Sequence, residues 1–132
     1  MSTFTLGQEL APHTFIINRK KLVIYAEASG DRNPIHLNEE IAKSVGLENV
    51  IAHGMYTMGL AGQYVSTIAG SANVKEFSAR FIKPVVVPAD TDVELVMSAT
   101  VTEVNTSSIR LEINAICNEV KVLGMAKALI AL

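Results

Sequence analysis

The sequence predicts an α+β fold in which an antiparallel sheet wraps around one long buried helix. Three observations carry this. Residues 54–74 hold no charged residue, and Met58, Ala61, Val65 and Ile68 follow helical spacing within them. From residue 75 onward the chain reads as strands, with apolar and polar residues alternating in its longest segments. These strands follow the helices as a block, which is the α+β pattern.

The elements can be justified in chain order. Residues 12–18 contain Phe15-Ile16-Ile17, a short strand. Asn18 is a helix N-cap, and its helix runs to about Ser29 with Leu22, Tyr25 and Ala26 on one face. Gly30 closes it, because glycine takes positive φ at no steric cost. Arg19-Lys20-Lys21 occupy the first turn, where the helix dipole disfavours cations. They read either as an exposed, solvated end or as a contact for phosphates of a carrier or coenzyme. Asn38 caps a short helix over 39–45, with Glu39 and Glu40 in its favourable first turn and Gly46 at its end.

Gly54 opens the most apolar helix, about 55 to 69. Met55, Leu60 and Tyr64 put apolar groups on its further faces, so burial nearly all round is expected. Gly59 and Gly62 cost about 1 kcal/mol each against Ala and are read as permitting close approach of the sheet or another chain. Residues 75–83 alternate loosely, and Pro84 and Pro88 confine the segment after them to edges or bends. Val93, Leu95, Met97, Ala99 and Val101 then face one way, and Ile109, Leu111, Ile113, Ala115 and Cys117 repeat the pattern after an Asn105-Thr106-Ser107 turn. Asn118-Glu119 is the next turn. Residues 120–131 are mostly apolar on both faces, as for a strand covered twice.

The 132 residues fit one domain, 1–132, without repeat or linker. An apolar fraction of 49% against 18% charged points to surface buried on a partner chain. A net charge of −2 gives no footprint for nucleic acid or an anionic membrane. One cysteine, Cys117, excludes an internal disulfide and fits a reducing cytoplasm; it reads as a small core residue. Met1-Ser2-Thr3-Phe4-Thr5 has no signal pattern, and residues 54–74 are too polar to span a bilayer, so a cytoplasmic location is expected.

Chemistry concentrates in Ser29-Gly30-Asp31-Arg32-Asn33-Pro34-Ile35-His36. Pro34 fixes its own φ and keeps Asn33 out of the α region, so the chain folds over and Asp31 and His36 can converge. A carboxylate and an imidazole facing one point can hold a water and move its protons. Turn formation and capping also account for Asp and Asn-Pro in such a loop. His13, His36 and His53 show no metal-ligand spacing such as HExxH, and neither a nucleophile elbow nor a phosphate-cradling glycine loop is present. No cofactor is expected.

Tyr25-Ala26-Glu27-Ala28-Ser29-Gly30-Asp31-Arg32-Asn33-Pro34-Ile35-His36, with Ile51-Ala52-His53-Gly54-Met55 and Arg80-Phe81-Ile82-Lys83-Pro84-Val85, resembles the hydratase motif of the MaoC-like dehydratases, or (R)-specific enoyl hydratases. The closest likeness lies among β subunits of the actinobacterial-type (3R)-hydroxyacyl-ACP dehydratases. Ala89 before Asp90 departs from the family's frequent Gly-Asp. The resemblance implies a hotdog fold, with a short-helix overhang carrying the active-site loop and two hotdogs side by side around the site. The partner is a second copy or another hotdog subunit. It implies reversible hydration of trans-2-enoyl thioesters and dehydration of (3R)-3-hydroxyacyl thioesters, on ACP or CoA, in fatty-acid metabolism.

On that reading Asp31 and His36 grip the catalytic water and Asn33 orients them. The Gly54 backbone N–H, at the positive end of the buried helix, stabilises the thioester oxygen. His53 either lines the site or caps the helix region, and Tyr25 and Tyr56 either line an acyl pocket or pack the core. Two other readings compete: a non-catalytic or co-catalytic subunit of a heterodimeric dehydratase, and a hotdog thioesterase. The Asp31, Asn33, His36 set counts against the first. The absence of an acid in residues 54–74 counts against the second.

Overall fold

A computed structural model describes residues 4–132; Met1-Ser2-Thr3, where the segment read for a targeting signal begins, lie outside the described residues. Branched and aliphatic side chains at every second position build the sheet. Strand β1 (Glu9–Ile17) is followed by helices α1 (Arg19–Ser29), α2 (Glu39–Ser44) and α3 (Gly54–Ala69). Strands β2 (Val74–Phe81), β3 (Val93–Val104), β4 (Ser108–Cys117), β5 (Val120–Lys121) and β6 (Leu123–Ala131) complete the chain. The antiparallel order is β1-β3-β4-β6-β2, with β5 paired to β4.

Register follows the hydrophobic pattern, because a one-residue slip would turn a strand's core face to solvent. Leu95 pairs with Cys117, Ala99 with Ile113 and Val101 with Leu111, and all six are buried. They pack with Ala61, Tyr64 and Val65 of α3 in one core. The Asn118-Glu119 turn has positive φ at both residues, 50° and 64°, the conformation that suits a two-residue hairpin. Asp90 also takes positive φ, 54°. Asp tolerates that region better than most non-glycine residues, so the turn forms with Ala89 in place of the family's glycine.

Helix ends match their expected chemistry. Asn18 accepts a 3.0 Å bond from the Lys21 N–H, and Gly30 closes α1 at φ 81°. Asn38 caps α2 through the Ile41 N–H. Arg19 is only partly exposed and is paired: it bonds the Val87 carbonyl, Asn49 and Glu39, tying α1 to α2 and to the segment before β3. Lys21 donates to the Ile16 carbonyl.

Several expectations are corrected. Strand β1 starts three residues early and carries a bulge between Leu10 and His13. Pro12 sits in that irregularity, where a missing N–H costs no ladder bond. Strand β6 is covered on one face only: Leu123, Ala126, Ala128 and Ile130 are buried, whereas Met125 is 62% exposed. Helix α3 buries Thr57, Ala61, Tyr64 and Val65 but leaves Met55 60% exposed. A Cβ on Gly59 or Gly62 would meet nothing within 4 Å, so among the described residues the sheet does not use them for close approach.

Candidate active site

Three pieces of backbone bring the site together. Gly30 ends α1, and the chain then folds through two short side-chain-to-backbone bonds. Asp31 Oδ1 accepts the Asn33 N–H at 3.3 Å, and Asn33 Oδ1 accepts the Ile35 N–H at 3.2 Å. Pro34–His36 form a single 3₁₀ turn with Asn33 as its cap. Asn33 thereby sets the direction of the turn that carries His36, and its side chain makes no bond to either the Asp31 or the His36 side chain. The third piece is residues 50–53. The Ala52 N–H bonds the Val85 carbonyl at 2.9 Å and the Val87 N–H bonds the Val50 carbonyl at 2.7 Å, which fixes where His53 and Gly54 enter α3. The Ile51 N–H reaches the Ile35 carbonyl, linking this segment to the turn.

His36 is 7% exposed, and its Nδ1 lies 2.7 Å from the Ile51 carbonyl. A carbonyl only accepts, so Nδ1 carries a proton, and in the neutral ring Nε2 is the nitrogen with the lone pair. His53, 1% exposed, lies with Nε2 3.0 Å from the Asp31 carbonyl. The same reasoning puts its proton on Nε2, and its Nδ1 is enclosed without a partner. The two rings stack, with centroids 3.9 Å apart and planes at 25°. Burial, the largest influence, holds His53 below the usual 6.5; its bond to the Asp31 carbonyl opposes this and the nearby His36 adds to it.

The carboxylate of Asp31 and ring nitrogens of His36 and His53 all lie within 4.8 Å of one another, which is the set of described residues that could hold a cation. The chemistry it offers without one is a carboxylate and an imidazole within 4.8 Å of each other. Asp31 is exposed and His36 buried, and of the two His36 lines the neighbouring cavity.

A cavity of about 280 Å³ opens beside His36, lined among others by Gly54, Thr57, Phe81, Val85 and Val122. Its lining is mostly apolar. Gly54 and Met55 begin α3, and the Gly54 N–H has no partner among the described residues. The Phe81 ring lies across Gly54, 3.3 Å from where a Cβ would be. His53, Tyr25 and Tyr56 do not line this cavity; their rings pack at tilted angles on one another, Tyr25 4.7 Å from His53 and 4.9 Å from Tyr56 between centroids. Sequence reasoning missed Thr57, Phe81 and Val122 as lining residues. Phe81 lies inside the segment that carried the family resemblance, but its approach to Gly54 depends on where the last residue of β2 meets α3.

Residues 3–118 match the family model described as a MaoC like domain. The chain is 42% identical over 73 residues to 3-hydroxyacyl-thioester dehydratase X of Mycobacterium tuberculosis, covering 55% of this chain and 25% of that protein. A solved structure described as a MaoC-like dehydratase superposes with TM-score 0.93 at 34% identity, over 96% of this chain and 40% of the other. The R-hydratase PhaJ1 from Pseudomonas aeruginosa, unliganded, gives 0.81 at 25% identity, over 97% and 82%. The chain thus spans a quarter of that curated relative's length and two fifths of the first structure's.

Proposed function

The chain belongs to the MaoC-like dehydratase family and has a hotdog fold, and from that premise we propose that it adds water reversibly to trans-2-enoyl thioesters, giving (3R)-3-hydroxyacyl thioesters. The observation that carries this reading is the convergence of the Asp31 carboxylate and the His36 ring within 4.8 Å, beside a mostly apolar cavity that Gly54 also lines.

The mechanism follows from donors and acceptors. The Nδ1–H bond to Ile51 leaves His36 Nε2 as the acceptor for a water proton, and Asp31 accepts from the same water. As the water oxygen bonds to C3, the C2–C3 π electrons move toward C2 and the thioester oxygen gains charge. The Gly54 N–H at the amino end of α3 faces that oxygen; one such donor is worth about 3 kcal/mol. The proton taken from the water returns through the Asp31–His36 pair to C2, so both added atoms come from one water and no cofactor is consumed. Asn33 acts through the backbone by capping the turn. The acyl chain lies along Thr57, Phe81 and Val85. Residues 1–132 act as one domain in a reducing compartment, and the carrier is ACP or CoA.

A second reading is favoured by one observation: the chain spans only two fifths of the MaoC-like dehydratase structure and a quarter of the curated dehydratase. It then works beside a second hotdog, identical or not, as a co-catalytic subunit. Incubation with crotonyl-CoA decides among the possibilities. Loss of enoyl absorbance with formation of the 3R product supports hydration. Release of free thiol without hydration would indicate hydrolysis. Activity that appears only with a second hotdog chain would assign the co-catalytic role.

A further inference from the structure

His53 is the most deeply enclosed polar side chain of the site, and the reaction as written gives it no proton to move. It is 1% exposed and does not line the cavity. Three titratable groups face it: Asp31 from the loop, His36 from the 3₁₀ turn and Tyr25 from α1, with Tyr56 of α3 packed on the Tyr25 ring. Its Nε2–H donates to the main-chain carbonyl of Asp31, the residue whose carboxylate is used. Its ring backs His36 at 3.9 Å between centroids. Its Nδ1 is enclosed with no partner, so the neutral ring is held in its Nε2–H tautomer.

The loop from Asp31 to Asn33 is exposed and held by Asx-type bonds, by the Asp31 N–H on Ser29 Oγ and by Arg32 on Glu27 of α1, all of them exposed. The 3.0 Å bond from His53 adds a tie from a fully buried donor to its carboxylate-bearing residue. The same ring limits how far His36 can tilt about its Ile51 bond. We propose that His53 is a positioning residue: through its Nε2–H it fixes the Asp31 main chain, and through its ring face it fixes His36, so that both reacting groups meet at one water. This rests on the assignment of Asp31 and His36 as the acid–base pair.

The test separates the ring from the donor. His53→Phe keeps a flat ring and removes the N–H; His53→Gln places an N–H near the Nε2 position and removes the ring. With crotonyl-CoA, His53→Phe is expected to lower kcat about 10²-fold, the scale of a misplaced reacting group, with KM changed less than about twofold. His53→Gln is expected to recover about tenfold of that loss. Equal kcat in His53→Phe and wild type would overturn the proposal, as would a loss carried by KM.

Two readouts need no turnover. Imidazole ¹⁵N spectra of the wild type are expected to show neutral His53 protonated on Nε2. Amide exchange at His36 and Ile51 is expected to quicken in His53→Phe but not at Gly70, beyond the far end of α3. An Nδ1–H tautomer for His53, or exchange that quickens everywhere alike, would sink the positioning role. A wild type inert toward crotonyl-CoA would instead count against the hydratase reading, and the spectra and exchange would still judge His53.

Discussion

Asp31 and His36 reach one point by different means, and their variants should differ accordingly. Asp31 is exposed and its carboxylate holds only the Asn33 N–H at 3.3 Å. Asp31→Asn preserves that acceptor, so it is expected to lower kcat by about 10²–10⁴-fold with little change in melting temperature. His36 is buried and holds Ile51, so His36→Ala is expected to cost a comparable factor in rate and measurable stability as well. Steady-state hydration of crotonyl-CoA and thermal melts check both. His53 supplies a pH effect on stability. Its folded value lies below 6.5, chiefly through burial, so the unfolded chain binds this proton first. Stability is then fully present above pH 6.5 and falls as pH drops from there toward the folded value. Melting temperature should decline over that range in the wild type and less steeply in His53→Gln. Of these residues, Asp31 and His36 were legible in sequence because Gly30 and Pro34 leave the chain between them few conformations. The role of His53 was not, because it depends on a carbonyl 22 residues away in sequence.

At the scale of elements, local rules account for helix ends better than for helix surroundings. Asn18 and Gly30 sit where capping chemistry requires them, and Asn18→Ala is expected to cost about 1 kcal/mol in chemical denaturation. Gly54 and Gly62 both lie on α3 but should respond in opposite ways. A Cβ at Gly54 would press on Phe81 at 3.3 Å and occupy the cavity beside the free N–H. Gly54→Ala is therefore expected to impair hydration far more than stability, since the half-exposed Phe81 ring can move aside. A Cβ at Gly62 meets nothing, so Gly62→Ala is expected to stabilise the isolated chain by up to about 1 kcal/mol. The surroundings of α3 were misjudged from sequence because hydrophobicity all round a helix states a need for cover without saying which chain supplies it.

For the whole molecule, the sheet and the uncovered surface tell separate stories. The core closes well: Leu95, Leu111, Ile113 and Leu123 are fully or almost fully buried, and Leu111→Ala is expected to cost about 2–5 kcal/mol. Around the site, however, Met55, Phe81 and Ile82 are about half exposed or more, and among the described residues β1 and β2 each leave one edge unpaired. Edges and apolar surface of this kind are normally covered. Sedimentation of the purified protein is expected to show an assembly of at least two hotdogs, either two copies or this chain with another. A strictly monomeric protein that hydrates crotonyl-CoA at full rate would contradict this. Among the described residues no helix is long and apolar enough to cross a membrane.

What the sequence determined by itself was whatever depends on neighbours along the chain. This includes the alternation in β3 and β4, the caps of α1 and α2, and the bent loop that carries a carboxylate and an imidazole. Those features arise from side-chain period and from the φ restrictions of Gly30 and Pro34, which act over a few residues. Only the tertiary structure decided what lies across from what. It laid Phe81 over Gly54, set the His53 donor under the Asp31 carbonyl, and left one side of α3 and one face of β6 uncovered. Each of these is fixed by packing between segments distant in sequence, a distance that no local pattern encodes.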